Sequence, residues 1–317
     1  MHITQTIDPT PPFDFALSSH VFTDSDPHIA RFDGSTYQRV LRVGATPLLA
    51  RIVSTGSVET PRLHVTFTSD RPLTDHEVTT ARSIIRSLLN ADLNVSLFYR
   101  AISDDPVLSM LARKLRGLKN PITETVFEAL VDSIIEQQIS LSVAHLLQRR
   151  VIRAFGGVLR VEDGEYYAFP TPEQLAAASI DSLRRCGLSR RKAEYIIENA
   201  GLIDARQVDL EGLRQHADSQ SILDLLCTLR GVGAWTAELT ALRGLNRLDV
   251  IPADDLGLRR WIAHYYCSEK RLTSKEVRGL ADRWGDWKGL AGFYLVIAGL
   301  LNIPPPVSER LDQSRRG

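Results

Sequence analysis

Two glycines and two aspartates carry the chemistry this sequence offers. The glycines lie in Leu229-Arg230-Gly231-Val232-Gly233-Ala234-Trp235-Thr236-Ala237, between two runs of helical periodicity, Ser221 to Leu229 and Ala234 to Leu242. Glycines on either side of one apolar residue let a backbone turn tightly and approach a ligand, while Val232 can pin the turn into a core. The second helix starts at the turn. Its N–H groups at Gly233, Ala234 and Trp235 therefore lack helical acceptors and, with the positive end of the helix dipole, form an anion site that suits a phosphate. Taken alone, a Gly-x-Gly favours the plainer reading of an αα-hairpin with a glycine C-cap. The aspartates follow in Asp249-Val250-Ile251-Pro252-Ala253-Asp254-Asp255-Leu256. Alone, Asp254 and Asp255 would read as caps for a helix beginning near Leu256.

The elements that must position these residues change character along the chain. Tyr37 to Val43, Leu48 to Val53 and Leu63 to Phe67 run or alternate in β-branched and aromatic residues, separated by Gly44, Gly56 and Pro61, as in an antiparallel meander. Thr74 with Glu77 three residues later marks a helix start, and Val78, Ala81, Ile84, Ile85 and Leu88 keep the helical period. Residues 1–103 thus read as one α+β unit. From about Asp104 strands are expected to disappear: Phe127 to Ile135, Leu141 to Phe155, Pro172 to Ala178, Ile180 to Cys186, Lys192 to Ala200 and Gly289 to Leu301 all read as helix. The helical region is taken as residues 104–303, two subdomains with a cleft between them. Residues 304–317, from Pro304-Pro305-Pro306 to Arg315-Arg316-Gly317, read as a polar, disordered tail.

Composition bounds the answer without supplying it. With 317 residues, 44% of them hydrophobic, the chain can bury more than one core. No apolar run approaches the roughly 20 residues of a membrane span, and Met1-His2-Ile3-Thr4-Gln5 lacks a basic-then-apolar leader. Cys186, Cys227 and Cys267 are isolated and odd in number, which argues against a disulfide frame, a zinc site or an iron-sulfur cluster. Net charge is zero, so any footprint for nucleic acid is local: Arg149-Arg150 with Arg153, Arg184-Arg185 with Arg190-Arg191-Lys192, or Arg259-Arg260. Each of these also reads as an ordinary solvated face.

The order of several motifs is more specific than any one. Leu-x-Gly-Val-Gly-x-x-Thr-Ala followed by an aspartate about twenty residues on resembles the helix-hairpin-helix DNA glycosylase superfamily, and within it the 3-methyladenine DNA glycosylase II family, over nearly the whole chain. Pro11-Pro12-Phe13-Asp14-Phe15, Phe127-Glu128 with Gln137-Gln138-Ile139-Ser140, Phe169-Pro170-Thr171-Pro172 with Leu175-Ala176-Ala177-Ala178, Ala241-Leu242-Arg243-Gly244 and Trp284-Gly285-Asp286-Trp287 support it. The resemblance implies an α+β fold: a TATA-binding-protein-like antiparallel sheet domain, then an all-helical core. It implies a monofunctional enzyme of base excision repair that flips an alkylated or deaminated purine out of double-stranded DNA and hydrolyses its glycosidic bond. Asp255 then holds the catalytic position, where a fixed carboxylate stabilises the oxocarbenium-like sugar and orients water, and the cap role falls to Asp254.

The same resemblance assigns the surroundings. Trp287 is the first pocket candidate, Trp235 lines the mouth, and Trp284 packs in the core. A cationic base is drawn to an indole face by ~0.5–2 kcal/mol. Leu256 and Leu239 stand where better-known relatives carry tyrosine, which implies a less aromatic pocket. Gly231, Val232, Gly233 and Ala234 form the DNA clamp, and Gln138, or its neighbour Gln137, fills the hole left by the flipped base. The lysine that oxidised-base glycosylase/lyases carry two residues after the hairpin glycine is here Trp235, which argues for water as nucleophile. The rivals are such a bifunctional enzyme and a non-catalytic helix-hairpin-helix DNA-binding protein. No cofactor or metal is expected beyond a structural monovalent cation at the hairpin. The partner is duplex DNA with a damaged base, and the protein is expected to be a monomer away from membranes, in the cytoplasm at the nucleoid, or in the nucleus of a eukaryotic cell.

Overall fold

The computed structural model describes residues 1–23, 25–216 and 218–306, so most of the expected tail, 307–317, lies outside the described residues. The amino-terminal strands β1 (His2–Ile7), β2 (Ala30–Phe32), β3 (Thr36–Val43), β4 (Thr46–Ser54) and β5 (Leu63–Thr68) form one antiparallel sheet in the order β1-β5-β4-β3-β2. Alternation builds its inner face. Tyr37 and Leu41 of β3, Leu48, Ala50 and Ile52 of β4, and Leu63, Val65 and Phe67 of β5 are fully buried with Ala81, Ile85 and Leu88. The last three lie on α2 (Asp75–Leu88), which follows the short α1 (Phe15–Ser19) and starts at the expected Thr74–Glu77 capping box.

The sequence reading places no strand at β1 or β2, nor any beyond residue 104. β1 was not anticipated: its partner is some sixty residues away, Ile3 facing Phe67 and Ile7 facing Leu63, so no local turn announces the pairing. Strands also do not disappear after residue 104, because β6 (Val158–Val161) and β7 (Gly164–Tyr167) make a small hairpin. Both of its strands carry polar residues, and what holds it is tertiary. Leu159 and Ala168 pack on Val40 and Leu49, on the outer face of the sheet, and Arg51 forms a two-pronged bond with Glu162 at 2.6 and 2.8 Å.

The helices sort into two cores. α5 (Val126–Glu136), α6 (Leu141–Phe155), α7 (Pro172–Ala176), α8 (Ile180–Arg185), α9 (Arg190–Asp204), α10 (Ser219–Cys227) and α11 (Ala234–Leu245) bury one continuous cluster from Val126 to Leu245. The second unit comes from both sides of the first in sequence. α3 (Val95–Ala101) and α4 (Pro106–Lys114) pack with α12 (Leu256–Tyr266), α13 (Ser274–Ala281) and α14 (Lys288–Leu300). Helix α3, counted above with the sheet, thus shares its core with the carboxyl-terminal helices. The stretch 246–255 is where the chain passes from one unit to the other, and Asp255 stands at its end.

Sheet and helices are joined by buried charge. The Arg39 guanidinium donates to both Glu128 oxygens at 2.6 and 2.7 Å, and the Arg42 amide donates to Glu124 at 2.8 Å. Removing one partner of such a pair costs about 3–5 kcal/mol, since it strands a buried charge. Burial, opposed by Arg39, pushes the Glu124 carboxyl up to about 7.

Candidate active site

The hairpin forms where the glycines place it. α10 ends at Cys227, the chain turns through Gly231 at φ +79°, and α11 begins after Gly233. Val232 is buried in the first helical core. The two glycines differ in what they permit. A Cβ at Gly231 would lie 2.1 Å from the Tyr195 ring, so this glycine is required both by backbone and by contact. A Cβ at Gly233 would meet nothing within 4 Å. Gly233, the N-cap of α11, offers no capping side chain, and both it and Ala234 are exposed, which leaves the first-turn N–H groups facing solvent.

The two glutamines have separate jobs. Gln137 Nε2 donates to the Gly231 carbonyl at 2.9 Å and lies 3.0 Å from Thr236 Oγ1, tying the end of α5 to the hairpin. Gln138 is exposed and holds a left-handed backbone, φ +57°. Such a conformation is unusual for a residue other than glycine and persists when neighbours fix it. Here Lys192 does so from behind, its Nζ donating to the carbonyls of Ile135 at 2.7 Å and Gln137 at 2.6 Å. Asn199 Nδ2 holds the Arg230 carbonyl at 3.0 Å. The hairpin offers a monovalent cation only backbone oxygens. Those of Arg230 and Gly231 have just their second lone pairs left, since each already accepts from a side-chain amide.

Asp255 is held at both oxygens. Oδ1 accepts from the Leu258 amide at 2.8 Å, which makes Asp255 the N-cap of α12, and Oδ2 accepts from Trp235 Nε1 at 3.2 Å. The cap expected of Asp254 therefore belongs to Asp255. The Asp254 side chain turns instead to the Ser274 hydroxyl and lies 3.6 Å from the Arg278 guanidinium. The displacement has a local cause, since Pro252 and the Asp255 N–H to Pro252 O bond at 2.9 Å form a turn that brings the second aspartate to the helix mouth.

The remaining candidates fall on several surfaces. Trp235 is half-buried, Leu239 is 5% exposed one turn further along α11, and Leu256 is 77% exposed beside Asp255. Trp287 is half-buried against Phe98 in the second helical core, ring centroids 5.9 Å apart, and Trp284 is buried with its indole on Asp105 at 3.1 Å. A cavity of about 600 Å³ lies elsewhere, at the start of α5 among Arg42, Glu124, Phe127 and Phe169, the opposite end of that helix from Gln137. Between Leu229 and Trp287 the lysines are Lys270, 3.8 Å from Glu276, and Lys275 at the start of α13.

Several ionisable groups near the site escaped the sequence reading. Arg243 donates to Glu136 at 2.6 Å; burial opposes its charge, but Glu136, Asp132 and Asp255 hold its pKa above the ordinary value. Asp132 is pushed well up by burial and by Glu128 and Glu136. The i, i+4 spacing of Glu128, Asp132 and Glu136 was the available signal, one acidic stripe down α5, continued by Glu124 just before its N-cap. Glu238 on α11 accepts from Arg278 on α13 at 2.5 Å, and no sequence pattern joins residues forty apart.

Residues 131–286 match the family described as HhH-GPD superfamily base excision DNA repair protein. The chain is 28% identical over 257 residues to the DNA-3-methyladenine glycosylase of Bacillus subtilis (strain 168), covering 81% of this chain and 84% of that one. It is 32% identical over 187 residues to DNA-3-methyladenine glycosylase 2 of Escherichia coli (strain K12), covering 58% of this chain and 61% of that relative. Its fold superposes on the 3-methyladenine DNA-glycosylase from Archaeoglobus fulgidus with a TM-score of 0.83 at 27% identity, covering 94% of this chain and 99% of the other. The sheet followed by a two-part helical core, the hairpin and these likenesses agree, and the chain belongs to the helix-hairpin-helix superfamily of base excision DNA repair proteins.

Proposed function

We propose that this protein is a monofunctional DNA glycosylase that hydrolyses the glycosidic bond of alkylated purines in duplex DNA and leaves an abasic site. The observation that carries the reading is the double restraint on Asp255, from the Leu258 amide and from the Trp235 indole, at the passage between the two helical units. A carboxylate fixed in this way needs no reorganisation when positive charge develops on the sugar. The exposed first turn of α11 takes a phosphate of the damaged strand. Gln138, projecting from its left-handed turn, enters the duplex where the nucleotide has left, and Trp287 with Trp235, Leu239 and Leu256 borders the extruded base.

The chemistry follows. As the bond from C1′ to the base nitrogen breaks, its electron pair goes to the base, which leaves readily because alkylation has made it cationic. Asp255 stabilises the sugar cation and then accepts a proton from the water that bonds to C1′. DNA is the partner, a monomer suffices for one extruded base, and the compartment is the cytoplasm or, in a eukaryote, the nucleus. Mass spectrometry of bases released from methylated and deaminated duplex tests the reading. Free 3-methyladenine or 7-methylguanine is expected from the unaltered protein and none from Asp255→Asn, which keeps an N-cap side chain and so the fold. Equal release by the two proteins, or none by either, would sink the proposal.

A further inference from the structure

Glu238 has an acceptor that nothing in the protein uses. The residue is 4% exposed; Oε1 takes the Arg278 guanidinium at 2.5 Å, and Oε2 is buried without a hydrogen-bond partner among the described residues. Buried carboxylate oxygens are rarely left in this state, since each forgoes water without replacement. Its place in the fold is informative. Trp235, Glu238 and Leu242 recur at helical spacing on one face of α11, and that face meets the second helical unit: Trp235 holds Asp255, Glu238 holds Arg278, and Leu242 lies where a Cβ on Gly289 would be 2.7 Å away. Glu238 is therefore in the seam that contains Asp255. Its electrostatic neighbours are Asp254, next to Asp255, and Lys288, next to Trp287. One guanidinium, Arg278, serves both Glu238 and Asp254. With Asp255 the seam holds three carboxylates near Arg278 and Lys288, with Arg243 acting on Asp255; burial raises the Glu238 pKa against the pull of Arg278, and a cation placed beside the free oxygen would offset that.

We infer that Glu238 is a specificity-determining residue whose free carboxylate oxygen receives the extruded base and favours cationic, N-alkylated purines over neutral ones. The inference rests on the glycosylase reading above. A carboxylate half-neutralised by a fixed guanidinium and shielded from water attracts a nearby cation more strongly than a solvated one does. It also accepts an N–H from the base edge, whereas Arg278 keeps its orientation fixed. Trp287 alone would add attraction for a cation, but an indole face distinguishes ring edges poorly.

The test is a ratio. Single-turnover rates on duplexes bearing 7-methylguanine and hypoxanthine are measured for the unaltered protein, Glu238→Gln, Glu238→Asp and Arg278→Met, with Asp255→Asn as the inactive control. Glu238→Gln keeps an oxygen for Arg278 but loses the charge, and should lower the 7-methylguanine to hypoxanthine ratio at least tenfold. Glu238→Asp, which keeps the charge, should hold the ratio within about threefold. Arg278→Met leaves Glu238 buried without its counter-ion, which favours the neutral acid, so its ratio should fall in the same direction as that of Glu238→Gln. If Glu238→Gln does not fold, Arg278→Met decides: a ratio that stays level or rises with it overturns the inference. Equal losses on both substrates in Glu238→Gln, or no change, also overturn it. That failure leaves the glycosylase reading standing as long as Asp255→Asn is inactive; release of neither base by the unaltered protein defeats the reading itself.

Discussion

The Trp235 indole and the Asp255 carboxylate meet at 3.2 Å across twenty residues of sequence, and they join the first turn of one helix to the first turn of another. On the proposed reading, the helix whose exposed start grips DNA also carries the donor that aims the carboxylate assigned to catalysis, so gripping and aiming share one rigid element.

Replacing Trp235 by Phe should separate those two tasks. Phenylalanine keeps the apolar contact and loses the N–H. A hydrogen bond to a charged group contributes about 1.5–3 kcal/mol, so base release is expected to slow by roughly 10- to 100-fold, with duplex affinity unchanged. Rapid-quench single-turnover assays beside equilibrium binding check this, and a parallel loss of affinity would contradict it.

The two hairpin glycines should respond differently to substitution. Gly231→Ala places a Cβ against the Tyr195 ring at a positive φ, and left-handed backbone alone costs roughly 1–2 kcal/mol for an alanine. A lower melting temperature is expected. Gly233→Val meets open space in an extended backbone, so stability should hold while affinity for undamaged duplex falls, regardless of its sequence. Unchanged affinity in Gly233→Val would remove the hairpin as the DNA clamp.

Water rather than an amine should attack the sugar. The position for a nucleophilic lysine is Trp235, and the Nζ of Lys192, close behind the Gln138 turn, already donates to two carbonyls. Borohydride added during turnover is expected to trap no covalent adduct, and strands should break only after hot alkali. A stoichiometric adduct lost in Lys192→Met would instead identify that amine as the nucleophile.

The seam between sheet and helices should carry a pH signature. The Glu124 carboxyl lies near 7 in the folded chain, against an ordinary value of 4.5, because burial outweighs Arg39. The folded state then holds its proton more tightly than the unfolded state, so stability from this group is present below about 4.5 and is lost as pH rises through about 7. Glu124→Gln, which cannot ionise, should gain melting temperature relative to the unaltered chain at pH 8 and lose that advantage at pH 5. A difference that does not vary with pH would refute the assignment.

The hairpin and Asp255 were legible because their signals are local: glycine spacing, helix periodicity and an aspartate at fixed distance. What the sequence hid is pairing over distance. β1 finds β5 across some sixty residues, Glu238 finds Arg278 across forty, and Gln137 reaches Gly231 across ninety-four. That Asp255 rather than Asp254 caps the helix was hidden for another reason, because adjacent aspartates are equivalent as residues and only the turn at Pro252 chooses between them. Leu239, assigned to the border of the base from its motif position, is 5% exposed, a degree of burial set by helix packing that spacing alone does not fix.

The second helical unit is assembled from Val95 to Leu118 and from Ile251 to Ile303, with the whole first unit inserted between them. On a ribosome this imposes an order of maturation. The early pair of helices emerges with its apolar faces uncovered and waits for Ile251 to Ile303, about 10–40 s at roughly 5–20 residues per second. The first helical unit, with its hairpin, can close in that interval. Asp255 gains its surroundings only once Ile251 to Ile303 have emerged, so on the glycosylase reading nascent chains would acquire DNA contact before they could cut a base, and a chain that stops before Ile303 would hold DNA without repairing it.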